Sequence, residues 1–213
     1  MTGAQVVRPA GFVYVDCETT GLDARRHDPY ELAWAVDDGP LYSLLLPHRL
    51  RYAEPIALEV GGYGRRGIQE RLRHERRCPH HQSASVDDFV AAFAGPNGPR
   101  TLVAANPAFD AGMLHGKVIG REPTTMRLRR FLRLPAGPAP AAPWHYRLLD
   151  IEAYAAGVFG WSHLRGLSKV REHLVGLGYE VPAPDHTAMR DVISLRAIHR
   201  ACWDHLAATG RSA

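Results

Sequence analysis

The chain has 213 residues, 46% of them hydrophobic, which is enough for a substantial core in a single domain, 1 to 213, yet no apolar run is long enough for a membrane helix. The opening MTGAQVVRPAG lacks the apolar centre of a secretory signal, and Cys17, Cys78 and Cys202 are too few and too scattered for a disulfide framework. These features predict a cytoplasmic protein without a membrane partner. The formal charge is +4 with a pI near 9.1, and only Lys117 and Lys169 are lysines among 26 basic residues. Arginine's planar fork suits phosphate oxygens and so a nucleic-acid partner, although a GC-rich genome produces the same bias.

In chain order, FVYVDCETTGLD (12 to 23) opens with a strand pattern. Side chains alternate across a strand, so Asp16 and Glu18 share one face while Cys17 points the other way, into packing. YELAWAV (30 to 36) and LYSLLLP (41 to 47) are two further strands joined by the tight reversal DDGP, which makes a three-strand meander. SVDDFVAAFA (85 to 94) is a helix with Ser85 as N-cap and Val86, Phe89, Val90 and Phe93 on one stripe. TLVAA (101 to 105) and HYRLLDI (145 to 151) each follow a Gly/Pro-rich break and read as strands. HLRGLSKVREHLVGL (163 to 177) carries Leu164, Leu167, Val170, Leu174 and Leu177 at helical spacing. A last helix from about Thr187 to His205 places Val192, Leu195, Ile198 and Cys202 on one face. A meander followed by alternating strands and helices predicts an α/β fold: a mixed sheet, three antiparallel strands plus parallel ones, flanked by helices.

This order brings distant acids into one place. Asp110 follows the fourth strand at the entry to a helix, four residues after Asn106. Asp191 lies about one turn inside the last helix, and His186 sits on the loop before it. Four carboxylates, Asp16, Glu18, Asp110 and Asp191, and one imidazole then converge. Ionised carboxylates packed together repel one another, and hard oxygen ligands select hard divalent ions, so Mg²⁺ or Mn²⁺ is the expected cofactor. Two ions about 3.5–4 Å apart suit in-line displacement at phosphorus. A histidine beside them, with an ordinary pKa of about 6.5, suits the general base.

DCETTGL (16 to 22), NPAFD (106 to 110) and HTAMRD (186 to 191) together resemble the three exonuclease motifs of the DnaQ-like, DEDD-type 3′→5′ exonucleases, a ribonuclease H-like family. The H-x-A-x-x-D form of the third marks the histidine subgroup, DEDDh; the tyrosine subgroup has Tyr where this chain has Thr187. The resemblance implies that Asp16, Glu18 and Asp191 hold the ion carrying the attacking water, that Asp16 bridges to a second ion supported by Asp110, and that His186 deprotonates the water. It implies further that Thr19, Thr20 and Leu22 line the pocket for the terminal nucleotide, with Asn106 and Phe109 on the other wall. Many relatives have His where Ala105 stands, which removes one contact on the substrate side.

The resemblance points to nucleic acid with a free 3′ end as partner. HYRLLDI is similar to a stretch of oligoribonucleases, whereas NPAFD looks more like proofreading or repair members. The residues after Asp191 read as the end of a helix, so the expectation is a stand-alone exonuclease acting on single-stranded DNA. The alternatives are an RNA-directed relative similar to ribonuclease T or oligoribonuclease, and a non-catalytic, polymerase-associated binding subunit. The arginine clusters at 65 to 81 and 121 to 134 are read either as tracks for a phosphate backbone or as solvated helix faces. His74, Cys78, His80 and His81 lack the second ligand pair of a zinc site.

Overall fold

The computed structural model of the chain describes residues 11–77, 84–119 and 141–210. The arginine-rich stretch 121 to 134 and the residues Cys78, His80 and His81 lie outside them.

Three antiparallel strands, β1 (Phe12–Thr19), β2 (Pro29–Val36) and β3 (Leu41–Leu45), form the expected meander. β6 (Thr101–Ala104) pairs parallel with β1, and β7 (Leu149–Asp150) pairs parallel with β6, giving one five-stranded mixed sheet in the order β3-β2-β1-β6-β7. A short hairpin, β4 (Ala94–Gly95) and β5 (Gly98–Pro99), stands apart. The helices are α1 (Pro55–Val60), α2 (Ile68–Arg77), α3 (Val86–Ala91), α4 (Pro107–Leu114), α5 (Ile151–Phe159), α6 (Leu167–Gly176) and α7 (Ala188–Ala208), with one π-helical turn, His115–Ile119, after α4.

The strand period of two divides the core cleanly. Val13, Val15 and Cys17 of β1, Leu32 and Trp34 of β2, and Leu102 and Ala104 of β6 face one layer, where Phe89, Phe93, Met113 and Leu114 cover them. Tyr14, Ala33, Ala35 and Val103 face the other layer, covered by α5, α6 and the apolar face of α7: Val192, Leu195, Ile198 and Cys202. Small residues at 33 and 35 let a long helix lie close over the middle of the sheet. Each fully buried Leu, Ile, Val or Phe in these layers contributes roughly 1.5–3 kcal/mol. Tyr30, Leu45, Tyr63, Ile68 and Leu72 form a third cluster that fastens α2 beneath the meander.

The N-cap expected at Ser85 is present, and the helix expected from about Thr187 proves to be capped by that residue. Ser85 and Asp88 make a reciprocal capping box at the start of α3. Thr187, extended at φ −120°, accepts the Arg190 N–H at the start of α7. Two sequence readings are corrected. The strand expected over 145 to 151 is only Leu149–Asp150, because the Asp150 carboxylate turns to cap α5 by accepting the Glu152 and Ala153 N–H groups. The helix expected from His163 starts at Leu167, with Leu164 exposed. No helix among the described residues is long and apolar enough to cross a membrane, and Cys17 and Cys202 are buried thiols.

His199 of α7 sits in the second layer with its Nδ1 2.8 Å from the Tyr14 hydroxyl and the rings of Phe12 and Tyr154 around it. Burial holds its pKa down at about 4. The unfolded chain therefore takes up a proton near the ordinary value of about 6.5 that the folded chain refuses until about pH 4. The stability this group contributes is present above pH 6.5 and is lost as the pH falls through that window. His199→Gln flattens the acid limb of a plot of Tm against pH between 6.5 and 4; a limb as steep as that of the parent assigns acid unfolding to other groups.

Candidate metal centre

β1 and α7 build the site from opposite ends of the chain. Asp16 and Glu18 point to the α7 side of the sheet, as the alternation of β1 requires, and the first turn of α7 carries Asp191 toward them. One carboxylate oxygen from each of the three lies within 4.8 Å of the others. Asp110, buried on α4, stands beside Asp16 but outside this trio, and its Oδ1 accepts the Cys17 N–H at 3.1 Å. Asp191 accepts the Asp185 N–H at 3.1 Å, which fixes the loop entering α7. His186 is exposed on that loop, near enough to Asp191 to favour its ionised form, and its backbone is left-handed at φ 59°. A non-glycine residue held there stores backbone strain of about 1–3 kcal/mol, and such strain concentrates at working sites.

The electrostatics are those of a nest of acids that the nearby Arg66 only partly offsets at Glu18. Burial, then the fields of Asp110, Glu18 and Asp191, lift the Asp16 carboxyl well above the usual range. Burial and the nearby Asp191 and Glu31 push Glu18 up to about 8. Asp110 rises to about 6 through burial, against the pull of its bonds to Cys17, and burial also raises Asp191. A divalent cation set among these oxygens offsets both the burial and the mutual repulsion behind these shifts, and the all-oxygen donor set fits a hard ion such as Mg²⁺, Mn²⁺ or Ca²⁺.

The other residues singled out in the sequence are placed unevenly. Thr19 Oγ1 donates to the Gly21 carbonyl at 2.9 Å, and the fully buried Thr20 Oγ1 accepts the Asp28 N–H at 3.0 Å, so both hydroxyls hold the β1–β2 loop. Leu22, on the same loop, is 73% exposed. Asn106 is an exposed N-cap of α4, and Phe109 packs half-buried against the first core layer.

Four neighbours escaped the sequence reading. Glu31 lies directly across the β1–β2 ladder from Glu18, 5% exposed, and receives the Arg66 guanidinium at 2.5 Å. Its second oxygen accepts the Ala188 N–H at 3.3 Å, so it also holds the first residue of α7. Arg66 donates as well to the Gly61 carbonyl at 3.2 Å. A charge amid the apolar residues of YELAWAV was the available signal for Glu31. The remaining two, Tyr30 and Gly61, meet behind Glu18: the buried Tyr30 hydroxyl has no hydrogen-bond partner among the described residues, and Gly61 passes close against it. A methyl group on Gly61 would overlap that hydroxyl and come within 2.8 Å of Glu18 Oε2.

Gly61→Ala therefore displaces Glu18 or strains the loop. It is expected to lower stability by about 1–3 kcal/mol, as overpacking does, and to weaken Mn²⁺ binding read from the free-ion EPR signal. Gly64→Ala, where an added methyl meets nothing within 4 Å, is the control. Equal melting and equal Mn²⁺ affinity in the two variants would show that Gly61 has room to spare.

No family model and no curated protein matches the chain. Among solved structures, one described as "apo form of the nuclease" is similar to it at 15% identity, covering 94% of this chain and 75% of that one, with a TM-score of 0.47. The reading of the site rests on this chain's own side chains.

Proposed function

We propose that the protein is a divalent-metal-dependent phosphodiester hydrolase, a 3′→5′ exonuclease that removes 5′-mononucleotides from DNA ends. The observation that carries this reading is the meeting of Asp16, Glu18 and Asp191, drawn from β1 and α7, within 4.8 Å of one another. All three carboxyls are lifted by burial, Asp16 further by Asp110, Glu18 and Asp191, and Glu18 further by Asp191 and Glu31. In the proposal Asp16, Glu18 and Asp191 hold one ion, and Asp16 with Asp110 supports a second. Such ions supply Lewis acidity and an activated water.

The chain's own groups do the rest. Asp191 is steered by the Asp185 N–H, Glu18 stands across the ladder from the Glu31–Arg66 pair, and His186 on its strained loop takes the proton from the attacking water. Leu22, projecting from the loop that follows Glu18, is available to press on the terminal base. The three motifs quoted above support the 3′→5′ direction and the histidine as base.

The test is a 5′-labelled single strand incubated with the protein and Mg²⁺ or Mn²⁺. The expected product is a ladder of shortened strands with 5′-mononucleotides released, abolished by EDTA. Matched DNA and RNA strands in parallel decide the sugar. Intact strands of both kinds, with either metal, overturn the proposal.

A further inference from the structure

Beside the metal centre, two loops lie together and gather arginines around an exposed ring. The Glu54 N–H donates to the Thr20 carbonyl at 2.8 Å, and Asp28 accepts the Arg49 N–H at 3.0 Å and its Nε at 2.9 Å, so residues 49–54 are fastened to the β1–β2 loop. This places the guanidinium carbons of Arg26 and Arg51 at 5.4 and 5.1 Å from the centroid of the Tyr52 ring, which is 46% exposed. Thr20 follows Glu18 by two positions and Tyr52 precedes Glu54 by two, so the ring stands one loop away from the carboxylates.

The acids of these loops have other partners. Asp23 accepts the Arg25 N–H, Asp28 faces Arg49 and Lys117, and Glu54 faces His27 at 3.6 Å. Two guanidiniums drawn to one ring repel each other, and an anion between them offsets that repulsion. Both guanidiniums lie over the ring on exposed side chains, so one that turns to a phosphate uncovers a face for a flat partner and pairs with its charge. Unpaired nucleic acid offers this combination at every residue: a base with an open face, and a phosphate next to it. A duplex keeps its bases stacked inside, and an acidic peptide has no regular flat rings.

We infer that Tyr52, with Arg26 and Arg51, is a stacking platform for an unpaired nucleotide of a single strand whose end lies at the metal centre. Its position relative to the cleaved end rests on the function proposed above; its binding of a single strand does not. The platform retains the strand between successive cleavages, and it favours unpaired ends without reading sequence.

The test is fluorescence anisotropy with the full chain in EDTA, using labelled dT12, U12 and a blunt hairpin across a salt series. Tyr52→Ala is expected to weaken binding of dT12 and U12 by about 5- to 150-fold, while Tyr52→Phe binds as the parent does. Replacing Arg26 and Arg51 by Gln lowers the slope of log affinity against log salt by about 0.7 for each arginine. Parent-like affinity in Tyr52→Ala overturns the platform, as do equal binding of the hairpin, equal competition by polyglutamate, or no binding of either single strand by the parent. Because no cleavage is needed, a protein that binds without ever cutting refutes the nuclease reading alone, and one that cuts while Tyr52→Ala binds normally refutes the platform alone.

Discussion

Asp16→Asn loses metal-dependent strand cleavage by on the order of 10³-fold or more, and the same variant melts at a higher temperature than the parent in EDTA. The two effects share one cause. Asp16 is the carboxylate most surrounded by others, with Asp110, Glu18, Asp191 and Glu31 all raising its proton affinity. Neutralising it removes one of the three carboxylates proposed to hold the ion, and it also relieves the crowding that burdens the metal-free fold. For a chain of this size each kcal/mol of relief raises Tm by about 2–4 °C.

The pH dependence follows from burial of these carboxyls first and from their crowding second. Glu18 titrates at about 8 when folded against an ordinary value of 4.5, so the folded chain binds the extra proton between those limits. The stability this group contributes is present below pH 4.5 and is lost as the pH rises through about 8. Metal-free Tm should therefore fall from pH 5 to pH 9, Mg²⁺ or Mn²⁺ should flatten the fall, and Asp16→Asn should flatten it without metal. Scanning fluorimetry with and without EDTA measures all three. A variant that is inactive yet no more stable, with a parent-like pH slope, would mean the carboxylates do not strain one another.

The second large effect is on the fold. Arg66→Ala is expected to cost about 3–5 kcal/mol of stability, the range for removing one partner of a buried ion pair. Glu31 is left facing Glu18 across the ladder with nothing to neutralise it, and it must take up a proton or move away from the Ala188 N–H. Either response loosens the first turn of α7, which carries Asp191. Arg66→Lys restores the charge but not the fork that reaches both Glu31 and the Gly61 carbonyl, so it recovers only part of the loss. Urea unfolding with a double-mutant cycle against Glu31→Gln measures the coupling. Additive single-variant losses would show that the pair is two independent contacts.

Much of this architecture could be read from local pattern. The alternation of β1 assigned Asp16 and Glu18 to one face and Val13, Val15 and Cys17 to the other, because successive side chains leave a strand on opposite sides. Ser85 and Thr187 marked helix starts because a side-chain oxygen there meets an amide left without a helical partner. What could not be read had a common physical origin in pairing over long stretches of chain. Helix α5, IEAYAAGVF, is apolar on several sides and gave no clear stripe. The arginine-rich segment that begins at Arg65 reads as a phosphate track or a solvated face, yet Arg66 turns inward to a glutamate 35 positions earlier. Tyr30, Gly61 and Glu18 become neighbours only when the 55–67 segment folds under the meander.

The distance along the chain between Glu18 and Asp191 also bears on synthesis. A polypeptide emerging from the ribosome exposes the β1 acids first and gains Asp191 only with its final helix. Nascent and truncated products lacking α7 cannot complete the trio, so the candidate metal centre exists only after α7 has packed onto the sheet.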